Sequence, residues 1–442
     1  MIGVGGIGMS ALAQVYADLG YRVTGSDRKE SAILQRLRSH GVDISIGHAP
    51  ANVSGADLVV CSTAVGEDNP ERAAAVSHGI EVWKRAQLLS DVLSSRTSIV
   101  ATGCHGKTTT SAMMTWVMEK LGLDPVALLG GEIGPLGGNA LCGAGRFIVA
   151  EADESDRSFL YLNPDIAVVT NVDFDHPDFY RDMDDVMATY SQFIERVRSR
   201  CVLCFEDEPT RLLAAKARCP VMSYGFSDDL DIRGVDWQET PDTHSAVVWE
   251  GKSKLGRLYL QLTGRHNMLN ALAVVTVMRL LGLDFKPVAE ALQAFPGTRR
   301  RMEFKGEKRG VRVFDDYAHH PTEVRAALES FKNRAPGRKI VVFQPHRYSR
   351  TQRFAGDFAR ALDPAEVLIV TGIYSAGDTP IPGVSGKSIF DLLSQKHIRY
   401  YCETQDECLD QLLQVVQPGD TVITCGAGTI YHVGEQLLER LG

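Results

Sequence analysis

Short apolar runs alternate with amphipathic segments along nearly the whole chain. Met9 to Leu19 carries apolar residues at helical spacing and stops at Gly20, followed by strand-like Tyr21–Thr24 and then Leu58–Cys61. A second block opens with Ser98–Ala101 as a buried strand. It continues into a helix in which Met113, Val117 and Leu121 share one face and Gly122 supplies the stop. Further strands are predicted at Phe147–Ala150 and Asp165–Thr170, a β-rich stretch at residues 220–262, and a helix from Asn267 to Leu281. A third block places strands at Val311–Phe314, Ile340–Phe343, Val367–Thr371 and Val422–Cys425, each followed by a polar or glycine-rich turn. Strands that alternate with helices imply parallel sheets covered by helices. The predicted fold is therefore α/β in three domains, spanning residues 1–94, 95–295 and 296–442. The first and third are Rossmann-like, and the central one is P-loop ATPase-like.

Composition narrows the class without naming a function. A hydrophobic content of 44% and a charged content of 23% describe a globular protein of 442 residues, long enough for several cores. The net charge of -8 argues against broad binding to nucleic acid or to an anionic membrane. No apolar run reaches the length of a bilayer span, and MIGVGGIGMS has neither the basic nor the apolar part of a signal peptide. Nine cysteines without framework spacing fit a reducing cytoplasm, and Cys201 and Cys204 read as ordinary strand residues.

The stretch ATGCHGKTTT, residues 101–110, nearly spells the phosphate-binding pattern G-x-x-x-x-G-K-[ST], with Ala101 in place of the first glycine. Its strand–turn–helix setting turns backbone N–H groups of Gly103, Cys104, His105, Gly106, Lys107, Thr108 and Thr109 toward a phosphate chain. Lys107 would reach the β- and γ-phosphates, and the Thr108 hydroxyl would face Mg²⁺. Glu151, the first carboxylate beyond Phe147–Ala150, stands where a metal bridges to phosphate. Asp153, Glu154 and Asp156 follow as loop or capping groups. His176, at the end of the next strand, reads as a ligand, a general base or a buried hydrogen-bonding partner. Asn267 and Asn270 share a helix face that could read a base edge, although Asn267 could equally cap its helix. At the N-terminus Gly3, Gly5 and Gly8 with Asp27 match a dinucleotide fingerprint and so admit a nicotinamide-dependent dehydrogenase. Only Met1 and Ile2 precede Gly3, so the first strand is almost missing, which points to an incomplete start or a shortened edge.

ATGCHGKTTTSAM, AEADESDRSF, NVDFDHPD, GRHNMLNA, GTRRRMEF, FDDYAHHPTEV and FQPHRYSRT stand in one order along the chain. In this they resemble the Mur ligase family, the ATP-dependent ligases of peptidoglycan precursor synthesis. The resemblance implies a cytoplasmic enzyme, monomer or homodimer, that uses ATP and Mg²⁺. It implies ATP contacts from the loop, Asn267, Asn270 and Asp316. Metal positions fall at Thr108, Glu151 and His176, and reaction roles at Lys107, Glu151, His176, Arg301 and His319. GVGGIGMSALA with Asp27 resembles a UDP-binding domain and implies nucleotide–sugar contacts from Gly5, Gly6, Gly8, Ser10 and Asp27. The arginine-rich loop resembles an amino-acid site, in which Arg347 or Arg350 would grip a carboxylate bidentately beside His346. His319 and His346 stay alternatives as acceptor of the amine proton.

Within the family, the two ends match members that join L-alanine to the carboxylate of UDP-N-acetylmuramate through an acyl phosphate. The member that recycles a whole tripeptide shares the histidine-rich motif and lacks the arginine-rich loop. A non-catalytic nucleotide-binding regulator is the remaining alternative. The chain departs from the family's pattern at Cys104, where threonine is usual. A thiol donates weakly and is oxidisable, which puts in doubt any contact that the threonine hydroxyl makes. Sites spread over three domains imply closure on substrate binding.

Overall fold

A computed structural model describes residues 1–240, 243–331 and 337–442. Its centre is a ten-stranded sheet in the order 253–260, 244–250, 232–239, 221–225, 200–204, 166–169, 97–102, 147–151, 126–133 and 138–142. Strand Thr97–Thr102 lies in the middle, parallel to Phe147–Glu151 on one side and Ile166–Val169 on the other. Phe147–Glu151 and Ile166–Val169 are apolar almost throughout and Thr97–Thr102 is apolar at its centre, because both faces are covered. Val100, Ile148, Ala167 and Leu203 face one cluster with the first domain's helices, while Ile99, Val149, Val168 and Val202 face the other. Helices Lys107–Lys120 and Arg265–Leu280 close that second face. Each Val or Leu buried in this way stabilises by about 1.5–3 kcal/mol.

The N-terminal domain pairs Thr24–Asp27 with Asp43–Ile46 and Leu58–Cys61 with Glu81–Lys84, all parallel. Ile2 bridges both Ser26 and Cys61, so one residue serves as the central strand joining the two pairs. Ile2 therefore lies at the centre of the sheet and not at the expected edge. The strand expected at Tyr21–Thr24 lies three residues later. Tyr21 is 62% exposed and rests edge-on against Tyr16 at 5.2 Å, outside the ladder. The domain is tied to the central sheet by Arg36, which donates to Glu132 and Asn139 at 2.8 Å each, and by Asn139, which donates to the Ile7 carbonyl at 2.9 Å.

The third sheet runs 303–308, 311–316, 421–425, 339–343, 367–371, 398–402, parallel except for its first strand. All four strands read from the apolar pattern of that block lie in it. Its carboxyl ends deliver Asp316, the loop from Gln344 to Arg347 and, in the helix Tyr348–Ala361 that follows, Arg350 toward the central domain. Among the described residues no helix is long and apolar enough to cross a membrane.

Candidate active site

The phosphate loop sits between the two strands that neighbour Thr97–Thr102. Ala101 stands in register with Glu151, and Thr102 with Val169. A carboxylate strand and an asparagine–aspartate strand therefore flank the turn by sheet order alone. Gly103 (φ 128°) and Gly106 (φ 83°) occupy left-handed backbone regions. A Cβ at Gly103 would lie 2.2 Å from Thr170 Oγ1, and one at Gly106 would lie 2.6 Å from Asn270 Oδ1. Helix Lys107–Lys120 starts at Gly106 with no side-chain cap, so its first N–H groups are open to an anion.

Lys107 Nζ donates to the Gly103 carbonyl and to Glu154 Oε2, both at 2.7 Å. Burial works against its charge, but Glu154, Asp153 and Glu151 outweigh it and hold the ammonium above its ordinary range. Thr108 Oγ1 lies 3.0 and 2.9 Å from the two Glu151 oxygens. Burial pushes the Glu151 carboxyl up, against the pull of Lys107 and Thr108. These clustered hard oxygens suit Mg²⁺. Glu154 Oε1 is buried without a hydrogen-bond partner, 3.7 Å from His176 Nε2. His176 has φ 55°, its own backbone N–H donating to Asp175 Oδ1 at 2.6 Å. Asn267 and Asn270 are both buried against the loop. Asn267 Nδ2 donates to the Thr263 carbonyl at 2.7 Å, Asn270 Nδ2 to Asn267 Oδ1 at 3.3 Å, and the helix cap is Gly264.

The C-terminal domain closes over this loop. Arg301 Nη1 is 3.7 Å from Glu323 Oε1, and its charge acts on both Asp316 and Glu151. Asp316 accepts N–H groups from Ala318 at 2.7 Å and Met302 at 2.8 Å, while burial raises its carboxyl to about 6. Arg350 is 2% exposed and grips Asp175 bidentately, through Nε and Nη2 at 3.0 Å each. Its Nη1 lies 2.9 Å from His346 Nδ1. Arg347 (φ 66°) pairs with Asp178 at 2.7 Å and stays partly exposed.

Two histidines face each other here, with ring centres 5.4 Å apart. A carbonyl only accepts, so His319 Nδ1, 3.0 Å from the Tyr317 oxygen, carries the hydrogen and leaves the Nε2 lone pair free. An arginine only donates, so His346 Nδ1 is the acceptor and its Nε2 carries the hydrogen. Burial and Arg350 lower His319 to about 4, and burial with His319 and Arg350 lowers His346 to about 2. In the first domain Asp27 Oδ2 accepts the Gly5 N–H at 2.9 Å. The Arg85 side chain stands 3.2 Å from where a Gly8 Cβ would be, and Ser10 Oγ donates to the Ile7 carbonyl at 2.9 Å.

Three family models match in order: "Mur ligase family, catalytic domain" at residues 1–97, "Mur ligase middle domain" at 101–278 and "Mur ligase, glutamate ligase domain" at 300–428. The UDP-N-acetylmuramate–L-alanine ligase of Syntrophobacter fumaroxidans is 44% identical over 100% of this chain and 95% of its own length. The chain belongs to the Mur ligase family.

That of Rubrobacter xylanophilus is 45% identical over 100% of this chain and 99% of its own. The crystal structure of UDP-N-acetylmuramate–alanine ligase from Thermotoga maritima matches with a TM-score of 0.84 and 31% identity, covering 99% of this chain and 97% of that one. A murein peptide ligase from Psychrobacter arcticus shares the fold, with a TM-score of 0.75 at 23% identity over 100% of this chain and 98% of that one. Within this Mur ligase the structure adds residues that the motifs did not single out: Arg85, Asp173, Asp175, Tyr317, His320 and Glu323. Asp173, Asp175 and Glu323 act through partners in distant segments, whereas Tyr317 acts on His319 two residues away. The signal for Asp173 and Asp175 lay in NVDFDHPD, where two aspartates precede the histidine in a strand-end loop.

Proposed function

We propose that this Mur ligase joins L-alanine to the carboxylate of UDP-N-acetylmuramate at the expense of ATP. Residues 1–94 hold the UDP-sugar, 95–295 the ATP and 296–442 the amino acid. The observation that carries this reading is the convergence of the Lys107 loop, Glu151 and Arg301 with His319, His346 and Arg347 where the central and C-terminal domains meet. Full-length likeness to L-alanine ligases supports the choice of amino acid.

A carboxylate is a poor electrophile, and it must approach a triphosphate of the same charge. Lys107, released from Glu154, and Arg301 lower that repulsion, each worth about 2.7–4 kcal/mol by the yardstick of one oxyanion donor. Thr108 and Glu151 would hold Mg²⁺, which when bound neutralises phosphate charge and orients the oxygens. His176, beside the unpartnered Glu154 oxygen, would serve a second cation position. A nitrogen donor suits a hard cation poorly, so His176 reaches it best through water. The substrate carboxylate oxygen bonds to the γ-phosphorus as the bond to ADP breaks. Asn267 and Asn270 brace the loop, and Asp316 fixes the Met302 turn beside Arg301.

In the second step the alanine amine attacks the acyl carbon, and phosphate leaves from a tetrahedral intermediate. His319 Nε2, with its free lone pair, takes the ammonium proton. Arg347 takes the α-carboxylate, because its exposed partner Asp178 costs little to displace. Arg350 is committed to Asp175 and acts by holding His346. Gly5, Gly6, Gly8, Ser10 and Asp27 line the nucleotide–sugar turn, with Arg85 alongside. The enzyme works as a monomer or a homodimer. Nine free thiols fit work in the cytoplasm.

Phosphate release from ATP should require both UDP-N-acetylmuramate and L-alanine, and Lys107→Ala should abolish it with the fold intact. Release indifferent to alanine, or faster with a tripeptide than with alanine, would defeat this reading.

A further inference from the structure

The side chains of His105, Asp173 and His320 meet where the phosphate loop touches the C-terminal domain, and the ligase reaction leaves them without a chemical task. His105 Nε2 lies 3.3 Å from Asp173 Oδ2, and His320 Nδ1 lies 3.8 Å from the same oxygen. One donor atom from each of the three falls within 4.8 Å of the others. Tetrahedral Zn²⁺, with bonds of about 2.0–2.2 Å, places its ligand atoms roughly 3.3–3.5 Å apart. Two of the three separations, 3.3 and 3.8 Å, are near that edge length, and the third lies within 4.8 Å. An ion could enter by displacing two long polar contacts, the His105–Asp173 one and the 3.4 Å approach of the Thr322 N–H to His320 Nδ1.

A carboxylate and a hydroxyl stand behind two of the three groups, as outer partners of metal-bound groups do. Glu323 Oε1 stands 3.3 Å from His105 Nδ1, a carboxylate behind the imidazole that favours hydrogen on Nδ1 and the lone pair on Nε2. Thr322 Oγ1 donates to Asp173 Oδ2 at 2.8 Å. His320 is 3% exposed, and its other ring nitrogen, Nε2, is buried without a partner. Two imidazoles and one carboxylate form a softer set than the oxygens of Thr108 and Glu151, and they select a borderline ion rather than Mg²⁺. Three protein ligands leave the fourth position to water.

We propose that His105, Asp173 and His320 form a zinc site, separate from the phosphate-side cation positions, that fastens the central domain to the C-terminal domain in the closed form. Two ligands come from the central domain and one from the C-terminal domain. The complete set therefore exists only when the domains are together, and zinc binding and closure favour each other.

The test titrates the full chain with Zn²⁺ and with Co²⁺ in excess Mg²⁺, with a chelator competition to set the Kd. One equivalent should bind, Co²⁺ should show the visible absorption of a tetrahedral site, and small-angle scattering should report compaction without nucleotide. Thr322→Ala should weaken binding about 10–100-fold, as loss of an outer partner does. His320→Ala and Asp173→Asn should each weaken it further, while Glu151→Gln leaves it unchanged. Circular dichroism shows whether each variant folds, and His320→Gln serves if the alanine variant does not. Stoichiometric binding that survives both His320 variants, binding lost with Glu151→Gln, or no binding by the wild-type chain would each overturn the proposal.

Discussion

Cys104 is the residue whose contacts the sequence left open. Its thiol donates to the Asp173 carbonyl at 3.0 Å and accepts the Asp173 N–H at 3.1 Å, so the position does make hydrogen bonds. Burial, reinforced by Glu154, pushes the thiol well above its ordinary range. The neutral form thus persists at pH 8, and the thiolate that alkylates is scarce. Iodoacetamide at pH 8 should leave Cys104 unmodified in the native chain and label it in urea, as read by mass spectrometry. The two histidines give a sharper contrast. His319→Gln should lower kcat by about 10²–10⁴, the range for losing a general base. His346→Gln should mainly raise the KM for alanine, because its free edge is an N–H donor. Equal kcat losses in steady-state assays would refute the division. Sequence named both histidines and could not separate them, because the deciding partners, a Tyr317 carbonyl and an Arg350 guanidinium, are set by the fold.

At the scale of elements, most of the architecture was legible because buried parallel strands leave unmistakable apolar runs. Strand order was not legible. Glu151 and Asn171 flank the phosphate loop only because Phe147–Glu151 and Ile166–Val169 pair on opposite sides of Thr97–Thr102. Lys107 and Thr108 were visible as a local motif, whereas the Lys107–Glu154 pair spans 47 residues and the Arg350–Asp175 pair spans 175. The turn between strand and helix tolerates little. At Gly103 a methyl would meet Thr170 Oγ1 at 2.2 Å and the Asn171 carbonyl at 2.8 Å, on a backbone with φ 128°. Overpacking of this kind costs about 1–3 kcal/mol. Gly103→Ala should therefore lower the melting temperature and weaken ATP binding by roughly tenfold or more, since 1.4 kcal/mol is a factor of ten. Thr170→Ala should restore only part of it, because the Asn171 backbone remains in the way. Calorimetry on the single and double variants measures both effects, and full rescue by Thr170→Ala would show that the backbone contact is unimportant.

For the whole molecule, the first domain shares an apolar core with the central sheet, whereas the C-terminal domain is joined to the central one by polar contacts together with Phe174, which packs on Phe354. Thr322 donates to Asp173 at 2.8 Å and Arg347 to Asp178 at 2.7 Å, but only Arg350 and Asp175 are both nearly water-free, at 2% and 5% exposure. The guanidinium holds the Asp175 carboxyl far below the usual carboxylate range against the opposing effect of burial. Asp175→Asn leaves a buried guanidinium without its counter-charge, which costs about 3–5 kcal/mol when the domains are together. Opening returns Arg350 to water and removes that cost, so the variant should populate an expanded form and require more ATP and alanine to close. Small-angle scattering should report the larger radius, and steady-state kinetics the raised KM values. Arg350→Lys should behave similarly, because a single ammonium cannot reproduce the bidentate grip. Replacing both partners, Asp175→Leu with Arg350→Met, removes the buried charge altogether and should recover most of the melting temperature. It should not recover turnover, because His346 Nδ1 loses the N–H that sets its ring at the amino-acid end of the cleft. A double variant that regains both stability and rate would show that the ion pair holds the domains and does nothing for the chemistry.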